Sequence, residues 1–422
     1  MLDLALDNKI AIGQKTYSWH DFNSIATDCF ALISDSKSPL AIIVDDTNHA
    51  LQYLLSLFKF DLDGIIIFRT RYTQAVEDLL IENCYSILDS KNSKWIFKID
   101  SVIVNKRISL LTSGTTGTPK LIHHSWDSIN TSSNISTINR RTWLLPYQIG
   151  TYAWFQLVTL SMFSKNQNLV IDDVMDFEKM FQRAYEHDVN AISATPTFWR
   201  MACMQVPDSV LKSINFIQIS LGGEIVDSSI LKLLKEMYPN ARLTHIYASS
   251  EAGASIVVND GLAGFPESFL ASENKQSINL KIENGILYVH SKFAAINALD
   301  EAGWVNTRDR VEIQNGRVFI KGRADSSMIN VGGSKAYPSD IESVLMSHES
   351  VDWCRVRAVR APFIGYLPEV DIKISIDSKT DDIEKELISF CQDKIPDYAI
   401  PRVWNFVTTI LISDTLKTDL IV

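Results

Sequence analysis

Leu111–Lys120 reads Leu-Thr-Ser-Gly-Thr-Thr-Gly-Thr-Pro-Lys and directly follows the apolar run Ile108-Ser109-Leu110. A strand therefore delivers a loop carrying the hydroxyls of Thr112, Ser113, Thr115 and Thr116, the glycines Gly114 and Gly117, and the cation of Lys120. That set suits a polyphosphate: glycine lets the backbone approach, hydroxyls and N–H groups donate, and lysine adds a point charge. It is not a Walker loop, which needs Gly directly before Lys and Ser or Thr directly after it. Here Pro119 precedes Lys120 and Leu121 follows.

Upstream of the loop, short apolar runs alternate with amphipathic stretches. Leu40–Val44 and Ile65–Phe68 predict buried strands; Ala50–Phe60 and Ala75–Asn83 predict helices, the first with Leu51, Leu54, Leu55 and Phe58 on one face. Downstream the pattern resumes as helix Phe177–His187, strand Ala191–Ala194, helix Phe198–Met204, strand Phe216–Ser220 and helix Ser229–Met237. Strand–helix alternation predicts parallel sheets covered on both faces. After about residue 278 the texture changes. Asn284-Gly285 and Asn315-Gly316 each sit between alternating runs, which predicts antiparallel hairpins. From Asp325 a small α+β unit follows, with helices Ser339–Met346 and Asp381–Lys394 and strands Cys354–Val359, Val370–Ile376 and Val403–Leu411. The expected fold is α/β: a large domain, 1–323, with parallel and antiparallel sheets, and a small mobile α+β domain, 324–422, hinged near Asp325.

With 422 residues, two or three domains fit a prior of about 150 residues each. Forty Lys plus Arg against fifty Asp plus Glu give a net charge of −10, poor material for a nucleic-acid binder. No apolar run approaches the roughly 18 residues of a membrane span. The five cysteines form no C-x-x-C pair, so neither a disulfide framework nor a zinc knuckle is indicated. The N-terminus, with Asp3 and Asp7, lacks the basic start of a secretory signal, and a cytoplasmic protein is expected.

Four further motifs follow in order. They are Gly222-Gly223-Glu224, Tyr247-Ala248-Ser249-Ser250-Glu251, Gly303-Trp304-Val305-Asn306-Thr307-Arg308-Asp309, and Gly322-Arg323-Ala324-Asp325 with Gly332-Gly333-Ser334-Lys335 beyond it. Together with the Leu111–Lys120 loop they resemble the signatures of the adenylate-forming superfamily: acyl-CoA synthetases, stand-alone adenylation enzymes and firefly-type luciferases. The resemblance spans about residues 10–420. It implies ATP- and Mg²⁺-dependent conversion of a carboxylic acid to acyl-AMP, then transfer to the thiol of CoA or of a carrier protein's phosphopantetheine.

In that resemblance Thr112, Ser113, Gly114, Thr115, Thr116, Gly117 and Lys120 hold the β- and γ-phosphates, and Glu251 helps hold Mg²⁺. Asp309 binds the ribose hydroxyls, and Arg323 bridges ribose and phosphate. Gly222, Gly223, Glu224, Tyr247, Ala248, Ser249 and Ser250 lie around the adenine, Tyr247 against its face. Lys417 near the C-terminus neutralises the α-phosphate, and Lys335 belongs to the segment that swings in for thiolation. His124, Gln148, Ile149, Tyr152 and Gly222 are expected beside the acyl group. The pattern is departed from at Ala248 and Arg308, where relatives carry Gly, at Asn330, where many carry Lys, and at Leu416, where Gly precedes the lysine. These departures motivate an alternative, a non-catalytic nucleotide-binding descendant. Enzymes for α-amino acids place an Asp in the segment matching Leu144–Phe155, and here that segment has no acid. An unpaired buried ammonium costs several kcal/mol, so an aryl or acyl acid is expected, with CoA or a separate carrier protein as partner and a monomer or homodimer as the assembly.

Overall fold

The computed structural model describes residues 2–99, 107–113, 118–131, 139–271, 278–324, 328–362, 365–375, 382–408 and 410. Two large sheets organise the first 260 residues. One has six strands in the order Lys94–Phe97, Ser86–Asp89, Leu40–Val44, Gly64–Phe68, Ile108–Ser113 and Pro119–His124. Its middle pairs are parallel, and each end pair is antiparallel. The other has eight: Gly253–Val258, Arg242–Ser249, Gln218–Gly222, Ala191–Ala194, Arg141–Leu144, Gln167–Ile171, Lys9–Ile12 and Lys15–Ser18. The N-terminal hairpin thus joins a sheet whose other strands arrive more than 120 residues later, a partner no local pattern announces.

One core serves both sheets. Ile42, Ile66 and Leu110 from the first and Ile10, Trp143 and Leu169 from the second bury against the helices Trp19–Ile33, Thr47–Lys59 and Tyr152–Phe163. The last is apolar on nearly all sides, as a helix enclosed between layers must be. Thr151 starts it by accepting the backbone N–H of Trp154. Asp46, Thr73 and Asp227 cap other helices in the same way, which is why those helices begin where they do.

The predicted elements are present with ends moved by a few residues. The strand expected at Phe216–Ser220 runs Gln218–Gly222 instead. Phe216 turns inward against Trp199 and Tyr238, and Ile217 and Gln218 share the Asn190 carbonyl before the ladder begins. The Asn-Gly turns close the predicted antiparallel region, a five-stranded sheet ordered Phe265–Pro266, Arg317–Arg323, Val305–Gln314, Ile286–Ser291 and Ile278–Glu283. Asn284, Gly285, Asn315 and Gly316 all have positive φ, the backbone such turns require.

A separate core gathers Ile329, Ile341, Val356, Val370, Leu387 and Ile400, under a sheet of Ser334–Ala336, Ile329–Val331, Gly365–Ile374 and Val351–Ala361, with Val403–Phe406 alongside. Trp353 and Ile410 leave this unit to pack with Phe198 and Trp199 of the large one. No helix among the described residues is long and apolar enough to cross a membrane.

Candidate active site

The residues that flank the phosphate-loop motif lie on two paired strands. Strand Ile108–Ser113 pairs antiparallel with Pro119–His124, placing Thr112 opposite Lys120. Lys120 is exposed, with no ion pair among the described residues. Gly114–Gly117 and the side chain of Ser113 lie outside the described residues.

Three contacts tie this hairpin to the turn that carries Glu251. His124, fully buried, directs Nε2 at the Ser250 carbonyl (2.8 Å) and Nδ1 at the Ser128 hydroxyl (3.0 Å). Since a carbonyl can only accept, the proton sits on Nε2 and Nδ1 accepts from Ser128. The Ala295 N–H donates to the Glu251 carbonyl (2.8 Å), and the Ile296 N–H to the His123 carbonyl (2.7 Å). Asn297 completes the lacing, accepting from the His123 N–H and donating to the Leu121 carbonyl. Burial pushes His124 down to about 4, so the ring is neutral at physiological pH. His124, expected beside the acyl group, thus has both nitrogens committed to holding the site together. Its ring also lies 5.8 Å from that of Tyr152.

The Glu251 carboxylate itself has no protein partner among the described residues, and no group of three metal-ligating side chains occurs among them. A lone free carboxylate beside a phosphate hairpin fits Mg²⁺, which is commonly held by one or two carboxylates together with substrate phosphates and water.

A second cluster forms where the five-stranded sheet meets the eight-stranded one. Asp309, nine-tenths buried, accepts the phenolic hydrogen of Tyr247 and faces Arg323 across the ladder. Its backbone N–H donates to the Thr307 hydroxyl, which in turn donates to the Leu287 carbonyl. Burial first, and then the Asp309 carboxylate, raise the Tyr247 phenol well above its ordinary value. Sequence reasoning put the Tyr247 ring against adenine and did not foresee its hydroxyl on Asp309. The ring also walls an open, mostly apolar groove shared with Glu224, Ile225, Phe265, Phe319 and Ile320. A bulge at Tyr247/Ala248 re-aims this strand end toward the groove.

Gly222 and Gly223 are glycines for spatial reasons. A Cβ at Gly222 would stand 3.1 Å from the Ile246 carbonyl oxygen, and Gly223 has φ +81°. Glu224 beyond them accepts from the backbone and hydroxyl of Thr197, so this carboxylate anchors the turn to the helix Pro196–Gln205. Arg308 stands at φ +61°, a left-handed backbone that glycine takes without strain and arginine takes at a cost of about 1–2 kcal/mol.

Around the segment Leu144–Phe155, Gln148, Ile149 and Tyr152 are buried. The Tyr152 hydroxyl accepts from the Ala254 N–H (2.9 Å), and Gln148 donates to the Thr70 hydroxyl (3.4 Å). On the small unit Lys335 is exposed, opposite Asn330 in a tight hairpin. That unit meets the large one where Arg310 lies 3.5 Å over the Tyr337 ring and Ser339 donates to the Lys321 carbonyl. Asp325 and Lys417 lie outside the described residues.

Comparison with known proteins agrees with this arrangement. Residues 108–277 match the model of the AMP-binding enzyme family. The chain is 24% identical over 343 residues to a 2-succinylbenzoate–CoA ligase of Bacillus licheniformis, covering 74% of this chain and 68% of that protein. It is 24% identical to a D-alanine–D-alanyl carrier protein ligase of Staphylococcus epidermidis, covering 79% and 74%. Among solved structures, O-succinylbenzoate coenzyme A synthetase from Bacillus subtilis in complex with ATP and magnesium superposes with a TM-score of 0.71 over 97% of this chain and 95% of that one, at 17% identity. An anthranilate CoA ligase in complex with anthranoyl-AMP gives 0.73 over 98% and 93%, at 14% identity. The five motifs in order, the AMP-binding match over residues 108–277 and the shared fold make this chain similar to the adenylate-forming acid–thiol ligases.

Proposed function

We propose that this protein activates an aryl or acyl carboxylic acid, without an α-amino group, as its acyl-AMP, and passes the acyl group to the thiol of CoA or of a carrier protein's phosphopantetheine. The observation that carries this reading is the lacing of the phosphate hairpin to the Glu251 turn through His124, Ala295 and Ile296. In the first half-reaction a carboxylate oxygen bonds to the α-phosphorus of ATP and the bond to pyrophosphate breaks. The protein's part is positioning and charge stabilisation. Thr112, Lys120 and the loop between them cradle the leaving phosphates. Glu251 supplies the carboxylate for Mg²⁺, which when bound neutralises phosphate charge. Asp309, with Tyr247 behind it, receives the ribose hydroxyls while the base enters the groove beside Tyr247. In the second half-reaction a thiol sulfur attacks the acyl carbon and AMP leaves.

The acid class rests on Leu144–Phe155, which has no carboxylate to meet an ammonium. The small domain, from about residue 324, turns about Asp325 between half-reactions, presenting Lys417 for adenylation and Lys335's segment for thiolation. Acid-dependent ATP–pyrophosphate exchange across aryl, fatty and amino acids tests the reading. Exchange with aryl or fatty acids alone supports it; exchange with amino acids alone overturns the acid class. Mg·ATP binding with no exchange for any acid favours the non-catalytic alternative. Lys417→Ala is expected to abolish most exchange yet spare thiolation from preformed acyl-AMP; equal losses in both would remove Lys417 from this role.

Asp309→Asn is expected to weaken AMP binding about 10- to 100-fold, the worth of one to two hydrogen bonds to a charged group. It is also expected to lower the Tyr247 phenol pKa, since a carboxylate neighbour has gone. Calorimetric AMP titration and ultraviolet titration of the phenol read the two effects separately.

A further inference from the structure

Arg71 is a half-buried cation that the reaction described above leaves unused. It follows the strand Gly64–Phe68 in a single 3-10 turn, at the carboxyl end of a parallel ladder. Ligands in open α/β sheets bind at such ends. The ladder between Gly64–Phe68 and Ile108–Ser113 registers Gly64 with Ile108 and Ile65 with Ser109, and goes no further among the described residues. Beyond that point the two strands part, and two groups occupy the opening. Gly150, at φ +79°, comes so close that a Cβ would lie 2.5 Å from the Ile66 carbonyl oxygen and 3.9 Å from Arg71 Nη1. The Arg71 guanidinium donates from Nη2 to the Leu111 carbonyl (2.5 Å), the residue that opens the phosphate-loop motif.

That carbonyl satisfies one of five guanidinium N–H donors. No carboxylate pairs with Arg71 among the described residues, whereas its neighbour Arg69 is held by both Asp45 and Asp89. Burial alone lowers the Arg71 pKa, to about 10. A half-buried cation without a counter-ion is costly to keep and is compensated when an anion binds. Beside it, Gln148 is nine-tenths buried and donates to Thr70, the residue before Arg71; its Oε1 has no partner among the described residues. An unpaired arginine and an incompletely paired amide therefore meet between the phosphate hairpin and the segment expected to line the acid.

We propose that Arg71 is an oxyanion-binding residue at this seam, holding a charged oxygen of one of the reactants while the adenylate forms. The inference rests on the adenylation reading above. Two sources supply that chemistry, the terminal phosphates of ATP and a carboxylate of the acid, and both would arrive at the same opening.

The test uses the full chain with Arg71→Met, which keeps the apolar stem, and Arg71→Lys, which keeps the charge. Melting without ligand is measured first, then calorimetric binding of inorganic pyrophosphate and of Mg·ATP, then the KM of whichever acid supports exchange. Arg71→Met is expected to retain the ligand-free melting temperature and to weaken one reactant about 10- to 100-fold, the loss expected for charge-assisted hydrogen bonds, with partial recovery in Arg71→Lys. Weakened pyrophosphate and ATP identify the phosphates as the source; a raised KM for the acid with ATP binding unchanged identifies the carboxylate. A drop in ligand-free melting with both affinities and the acid KM unchanged would show Arg71 to be a structural plug and overturn the inference. Wild-type protein that binds neither pyrophosphate nor ATP would instead overturn the adenylation reading, and this inference with it.

Discussion

Glu251→Gln is expected to reduce pyrophosphate exchange by about 100-fold or more, the scale on which removal of one preorganised electrostatic group slows such reactions. The loss should shrink as magnesium is raised, because a site short of one carboxylate still binds the ion through phosphates and water. Stability should hold. The Glu251 side chain has no protein partner among the described residues, and a substitution away from packing and hydrogen-bond networks changes stability by no more than about 0.5 kcal/mol. A magnesium titration of exchange, run beside a thermal melt, reads both. Activity unchanged at every magnesium concentration would remove Glu251 from the site.

The second large effect concerns His124 and pH. Its pKa lies near 4 in the folded chain, against an ordinary value near 6.5 when unfolded. The folded state refuses a proton that the unfolded state accepts, so stability is full above about 6.5 and falls as pH drops toward about 4. At about 1.4 kcal/mol per unit, the loss reaches about 3 kcal/mol at the bottom of that window. His124→Leu removes this contribution. Its unfolding free energy should start lower, by the roughly 1–3 kcal/mol of leaving the Ser250 carbonyl unpartnered, and fall less steeply between pH 6.5 and 4. Chemical denaturation at several pH values measures the slope; parallel slopes for the two proteins would contradict the assignment. Because His124 holds Ser250, and through it Glu251, exchange should fall too, by about 10-fold or more, even though His124 lies behind the reacting groups.

Much of this molecule was legible from periodicity and turn chemistry alone. Leu40–Val44 and Ala191–Ala194 are strands over the residues expected, because a short, largely apolar run between capped helices has few other places to go. The hairpin at Asn284-Gly285 followed from two residues that accept a left-handed backbone. The phosphate-loop motif was legible because its chemistry is local: hydroxyls, glycines and a lysine act together wherever a strand delivers them.

Other features come only from the tertiary structure, since their partners are distant in the chain. His124 meets Ser250 across 126 residues and Tyr247 meets Asp309 across 62. Each histidine or tyrosine, taken alone, carries no mark of the partner that sets its charge state. Arg71 shows the limit most clearly. Beside Arg69 in sequence it is one more arginine after a strand, and no spacing separates the two. Folding gives Arg69 two carboxylates from the ends of neighbouring strands and gives Arg71, among the described residues, a carbonyl and no carboxylate. Local sequence therefore determined which elements form and where a phosphate can sit. Desolvation and long-range pairing, which exist only once the sheets close over a shared core, decided which side chains hold the site and which remain free to bind.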